Sequence, residues 1–197
     1  MTHIFCTQAR VAKLVDALPS GGSVRKDVLV RIQSRAQYII MTREEKFMKE
    51  AIALSQNGVR NNEGGPFGCV IVKSDKIIGR GNNRVTSAND PTAHAEVVAI
   101  RDACKNLGTF QLEDCEIYSS CEPCPMCLGA IYWARPKMVY YANSREDAAD
   151  IGFDDSMIYE ELGIELVKRK IPIINLGRDE ALKVFKEWQN KSDKIKY

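Results

Sequence analysis

Two short segments hold the residue types that hydrolytic metal chemistry needs: His94-Ala95-Glu96 and Cys121-Glu122-Pro123-Cys124-Pro125-Met126-Cys127. A Cys-x-x-Cys at a helix start puts both sulfurs on one face, one turn apart. The free N–H groups and dipole of that first turn favour thiolate. His94 supplies an imidazole. One nitrogen and two sulfurs suit zinc, and three protein ligands leave a fourth position for water. An open zinc makes that water acidic enough to act near neutral pH. Hydrolysing an amidine-like C–NH2 also needs a proton carrier, which takes a proton from water, gives one to a ring nitrogen and protonates the departing amine. Glu96, two residues from His94, is the candidate, and it need not touch the metal. The competing reading is a closed site of His94, Cys121, Cys124 and Cys127, which would be purely structural.

These residues need elements to converge on one point. Thr42-Arg43-Glu44-Glu45 reads as a capping box, followed by Phe47, Met48, Ala51, Ile52 and Leu54 at helical spacing. Gly58 stands where a helix stop is expected. Phe67–Lys73 and Lys76–Gly81 read as strands joined at Ser74-Asp75. A helix is expected from about Ala93 to Asn106 and a strand at Cys115–Ser119. Pro123 and Pro125 open a helix that Arg135-Pro136 stops, and Lys137–Tyr141 is a further strand. Asp155-Ser156 caps a short helix to Leu162. Two more short strands are expected around Ile164–Val167 and Ile171–Asn175, before a final amphipathic helix at Asp179–Asn190. Alternation of this kind predicts an α/β domain of three layers, α/β/α, with a mixed sheet.

The chain has 197 residues, 45% of them hydrophobic, and a formal net charge of +2. That suffices for one domain and an appendage. No window approaches the roughly 18 uninterrupted apolar residues of a membrane span. Residues 1–40 hold six basic and two acidic side chains, which leaves 22 basic and 24 acidic in the remainder. The body therefore lacks the basic excess of a nucleic-acid-gripping surface. Seven cysteines, an odd number with three packed at 121–127, fit reduced thiols in the cytoplasm better than a secreted disulfide framework. Residues 1–40 do not read like the rest. A Pro-Ser-Gly-Gly break and scattered basic residues resemble a translated tRNA gene, so this segment is expected to be a spurious or disordered extension, with the metal-site domain at 41–197.

His-x-Glu upstream of Pro-Cys-x-x-Cys is the pattern of zinc-dependent base deaminases, and here it outweighs the structural-zinc reading. At these residues the chain resembles the cytidine deaminase-like superfamily, and within it the bacterial guanine deaminases. The likeness rests on GGPFG at Gly64–Gly68, NDPTAHAEV at Asn89–Val97, SCEPCPMCLGAIYWARP at Ser120–Pro136 and GFDDS at Gly152–Ser156. It implies a five-stranded mixed sheet between helices and a homodimer whose C-terminal segment crosses to the partner's active site. It implies one zinc per subunit on His94, Cys124 and Cys127, with Glu96 as proton shuttle and Asp155 as a second acid near the leaving amine. Asn83 would orient the base, Phe67 and Phe153 would wall its pocket, and Trp133 and the swapped Tyr197 would complete it. The expected reaction is hydrolysis of guanine to xanthine and ammonia, on a small-molecule nucleobase. The alternatives are a tRNA adenosine deaminase, a deaminase of guanosine, cytosine or a triazine, and a zinc-stabilised binding module without catalysis. Bland roles compete for the outer residues: Asn83 as a turn residue, Asp155 as a helix cap, Trp133 and the phenylalanines as core, Tyr197 as a frayed end and Cys121 as a small buried hydrophobe.

Overall fold

The computed structural model describes Met41–Tyr197; the extension expected at 1–40 lies outside the described residues. The elements in order are α1 (Arg43–Arg60), β1 (Gly68–Lys73), β2 (Lys76–Asn82), α2 (Val85–Ala88), α3 (Ala95–Leu107), β3 (Glu116–Cys121), α4 (Pro125–Ala134), β4 (Met138–Asn143), α5 (Arg145–Asp150), α6 (Ser156–Leu162), a 3-10 turn (Leu166–Lys168) and α7 (Arg178–Asn190). The sheet runs β2-β1-β3-β4. β1 is antiparallel to both of its neighbours, and β3 is parallel to β4. The sheet is therefore mixed, and the βαβ unit β3-α4-β4 carries the cysteine segment.

β1 and β3 are central and buried on both faces, so their side chains sort by the two-residue period of a strand. Cys69, Ile71 and Ile117 pack on Ala95, Ala99 and Ala103 of α3 and on Ile131 and Ala134 of α4. Val70, Val72 and Tyr118 face the other way, onto Ala51, Phe47, Met48 and Leu54 of α1. Three layers follow. The N-terminal end of β3 is pinned by Glu116, which accepts hydrogen bonds from Arg43 at 2.6 Å and Tyr118 at 2.9 Å and pairs with Lys137 at 3.1 Å. The opposite end of the strand leads into the cysteines.

The start of α3 is held unusually close to the sheet. A Cβ on Gly81 would come within 2.2 Å of the Ala95 carbonyl oxygen, so glycine there lets the first turn of α3 lie directly on β2. Gly108, with φ of 65°, closes the same helix in the left-handed conformation and bonds back to Cys104 and Lys105.

Three expectations need correction. Among the described residues the sheet has four strands rather than five. The runs read as strands at Ile164–Val167 and Ile171–Asn175 form no ladder: the first carries a 3-10 turn, and the second meets it through one backbone bond, Ile173 N–H to the Leu166 carbonyl at 3.0 Å. Pro172 removes a ladder donor from the second run, and Ile171 and Ile174 are largely exposed. Finally, α1 continues through Gly58 to Arg60, because Gly58 is buried within the helix and does not end it. Among the described residues no helix is long and apolar enough to cross a membrane.

Candidate active site

Two helix beginnings meet above the C-terminal end of β3. His94 is the N-cap residue of α3 and Cys124 that of α4, both with extended backbone, and neither side chain caps its helix. Both side chains turn instead toward a common point. Pro125, at the first helical position, costs α4 no hydrogen bond and presets its φ, and Cys127 follows on the same face. The ligand atoms of His94, Cys124 and Cys127 all lie within 4.8 Å of one another. His94 Nδ1 is 3.5 Å from each sulfur.

These separations test whether a zinc ion fits. Tetrahedral zinc with ordinary Zn–N and Zn–S bonds sets nitrogen and sulfur about 3.5 Å apart, which matches the distances found. The chemistry of the donor set, one imidazole and two thiols, is also that of zinc. Cys121, the possible fourth ligand, is not in the cluster: its thiol donates to the Ser144 carbonyl at 3.5 Å. Among the described residues the set of protein ligands is therefore open. The two cysteines behave unequally toward protons. The neighbouring Cys127 sulfur and His94 draw Cys124 well below an ordinary thiol, whereas Cys127, beside Cys124 and buried, is pushed up and donates its proton to Glu96 Oε2 at 3.3 Å.

Glu96, in the first turn of α3, is only 6% exposed. Its Oε2 lies 3.3 Å from the Cys127 sulfur, and its Oε1 accepts a 2.8 Å hydrogen bond from the Ser119 hydroxyl. Burial raises its pKa, and these hydrogen bonds partly offset the shift. The carboxyl thus stands beside the ligand cluster without belonging to it.

A cavity of about 400 Å³ opens onto this cluster, and it is lined by His94, Glu96, Cys121, Cys124, Asn83, Phe67, Phe153 and Asp155, among others. Phe67 and Phe153 meet edge to face, with ring centroids 5.0 Å apart. The glycine pair before Phe67 shapes this wall. A Cβ at Gly64 would fall 2.3 Å from Asn83 Oδ1, and one at Gly65 would press on both rings at 3.0–3.1 Å. Asn83 Oδ1 accepts hydrogen bonds from the backbone N–H groups of Gly65 and Val85, each at 3.2 Å. That leaves the amide nitrogen, a donor, for the cavity. Asp155 is the N-cap residue of α6 by position, but its side chain makes no capping bond, and the Ser156 N–H goes to Asp154 at 2.9 Å. Asp155 therefore keeps its carboxyl for the cavity, and burial together with the nearby Cys124 raises its pKa.

Two expected pocket residues lie elsewhere in this chain. Trp133 and Tyr197, with ring centroids 5.8 Å apart, line a separate hollow with Phe110, and neither lines the metal-ligand cavity. Conversely, Ser119 and Arg145 belong to the site but were not singled out in the sequence. Arg145 lines the cavity from the start of α5. That helix has a legible signal, a reciprocal capping box between Ser144 and Asp147.

An open imidazole–dithiolate zinc site facing a buried carboxyl, on an α/β/α sandwich, defines a zinc-dependent hydrolase of C–N bonds in cyclic amidines. Residues 41–143 match the cytidine and deoxycytidylate deaminase zinc-binding region, and the chain belongs to that family. It is 56% identical to guanine deaminase from Bacillus subtilis, over 78% of this chain and 98% of that one. The X-ray structure of that enzyme superposes with a TM-score of 0.76. A guanine deaminase from Nitrosomonas europaea is 31% identical, covering 59% of this chain and 67% of the other, with a TM-score of 0.55. A tRNA-specific adenosine deaminase from Bacillus subtilis is 41% identical over 51% of this chain and 62% of its own length.

Proposed function

We propose that this chain hydrolyses guanine to xanthine and ammonia, as in purine catabolism. The observation that carries the proposal is the convergence, on one cavity, of His94 and Cys124 of the ligand cluster, Glu96, Asn83 and the Phe67–Phe153 pair. The extent of likeness to a guanine deaminase supports the choice of base.

With its carbonyl oxygen tied to two backbone N–H groups, Asn83 meets the substrate as a donor. Guanine presents adjacent acceptors, O6 and N7, whereas adenine sets an amino donor beside N7. The base lies against the Phe67–Phe153 wall with its C2 amino group toward the ligand cluster. Zinc held by His94, Cys124 and Cys127 supplies the Lewis acidity that makes water nucleophilic near neutral pH. As the C2–O bond forms, Glu96 takes a proton from the water and delivers it to N3. It then takes the proton of the new C2 hydroxyl and passes it to the amine, so that the C2=O bond forms as the C2–N bond breaks and ammonia leaves. Asp155, free of capping duty, assists at the departing nitrogen.

Asn83→Asp tests the recognition step. An aspartate still accepts both backbone N–H groups but cannot donate, so kcat/KM for guanine should fall by about 10²-fold or more with little change in thermal midpoint. Unchanged kcat/KM would take Asn83 out of base recognition. The reaction itself is checked by ammonia release from guanine, guanosine, adenine, cytosine, a triazine and tRNA. Guanine is expected to be the preferred substrate, and preferred turnover of tRNA or of a nucleoside would overturn the reading.

The same reading takes the protein as a cytoplasmic homodimer, its thiolate ligands suiting a reducing compartment. Exposed Tyr132 and Trp133 on α4, Phe185 on α7 and the terminal Tyr197 form apolar surface of the kind a partner covers. They support a C-terminal segment that completes the neighbouring site with Tyr197. Sedimentation showing a fully active monomer would remove that exchange.

A further inference from the structure

We propose that Ser119 is a positioning residue: its hydroxyl ties Oε1 of Glu96 to the central strand, so that Oε2 alone faces the metal ligands and carries the mobile proton. The inference rests on the reading of Glu96 as proton shuttle.

The geometry singles out this serine. Ser119 is 1% exposed on β3 and is held between Cys69 of β1 and Tyr141 of β4 in the sheet register. Its face of the sheet is otherwise apolar, with Cys69 and Ile117 in the core beside it. A hydroxyl there is costly unless it is paired, and its partner is the carboxyl, at 2.8 Å. The adjacent Ser120 has a different task, accepting the Gly68 N–H at 2.9 Å and so fixing the strand beside Phe67.

The two carboxylate oxygens are thereby made unequal. Oε1 points to the sheet and Oε2 to the Cys127 sulfur at the ligand cluster. A serine hydroxyl can donate to Oε1 both when Oε2 is bare and when it is protonated, more strongly to the carboxylate. The bond therefore survives each proton transfer and never competes for the proton. A glutamate's terminal torsion is broad and roughly two-fold. Anchoring one oxygen to a rigid strand removes that freedom and keeps the reacting oxygen in line.

Ser119→Ala, Ser119→Thr and Glu96→Ala should be compared with wild type in zinc content, guanine kinetics and crystal structures of the zinc-loaded proteins. Ser119→Ala is expected to keep its zinc, lose roughly 10- to 100-fold in kcat with KM within about twofold, and show the Glu96 carboxylate in more than one orientation. Ser119→Thr, which retains the hydroxyl, should recover most of the loss. If its extra methyl group prevents folding, Ser119→Ala alone decides. Wild-type kcat in Ser119→Ala, or an unmoved Glu96 carboxylate in its crystals, would overturn the role. Should wild type release no ammonia from guanine, the functional reading would fall, and the crystallographic comparison would still decide Ser119.

Discussion

Glu96→Gln is expected to bind zinc as wild type does and to lose about 10²- to 10⁴-fold in kcat, the usual contribution of a positioned general acid–base group. Glutamine has the size and shape of the native side chain, and its carbonyl oxygen can still accept the Ser119 hydrogen bond. What it lacks is the capacity to accept and release a proton near neutral pH. Because His94, Cys124 and Cys127 form the ligand cluster without Glu96, the metal should remain. Steady-state kinetics paired with metal analysis checks both halves. Near-wild-type turnover would remove Glu96 from proton transfer, and loss of zinc would place it in the ligand set.

Cys127→Ala is expected to abolish both stoichiometric zinc binding and turnover, and to lower the thermal midpoint. Two ligands, His94 and Cys124, do not make a zinc site in water. Zinc binding stabilises the folded state by mass action, so losing it also removes that stabilisation. The buried thiol adds a small cavity cost of its own. Cys121→Ala provides the contrast. Its sulfur bonds to the Ser144 carbonyl and not to the cluster, so this variant should retain zinc. Equal zinc loss in both variants would mean that four protein ligands, not three, hold the metal.

The ligand cluster was legible because its residue types are rare and its spacing is local. His94-x-Glu96 and Cys124-x-x-Cys127 each sit within one helical turn, and Pro125 marks the start of α4. That these two helix starts face each other follows from the sheet order, which places β3 between β1 and β4. The alternating α/β pattern foretold the layers but overcounted strands in the tail, where hydrophobic content passed for pairing despite Pro172. Ser119 was invisible for the opposite reason. A serine in a buried strand has no local signature, and its role appears only when a helix from another part of the chain sets Glu96 against it. Asp155 shows how one residue can satisfy two readings: it holds the N-cap position of α6 without a side-chain capping bond, the Ser156 N–H going to Asp154, so its carboxyl is available to the cavity. Tyr197 and Trp133 pack on each other beside Phe110, away from the cavity, because a terminal residue and a helix-face tryptophan carry no local signal of where they come to rest.

X-ray absorption at the zinc edge of the purified, metal-loaded protein tests the central claim most directly. Two sulfurs, one imidazole nitrogen and one further light atom around each zinc are expected. A third sulfur, from Cys121, would close the coordination shell and contradict a hydrolytic site.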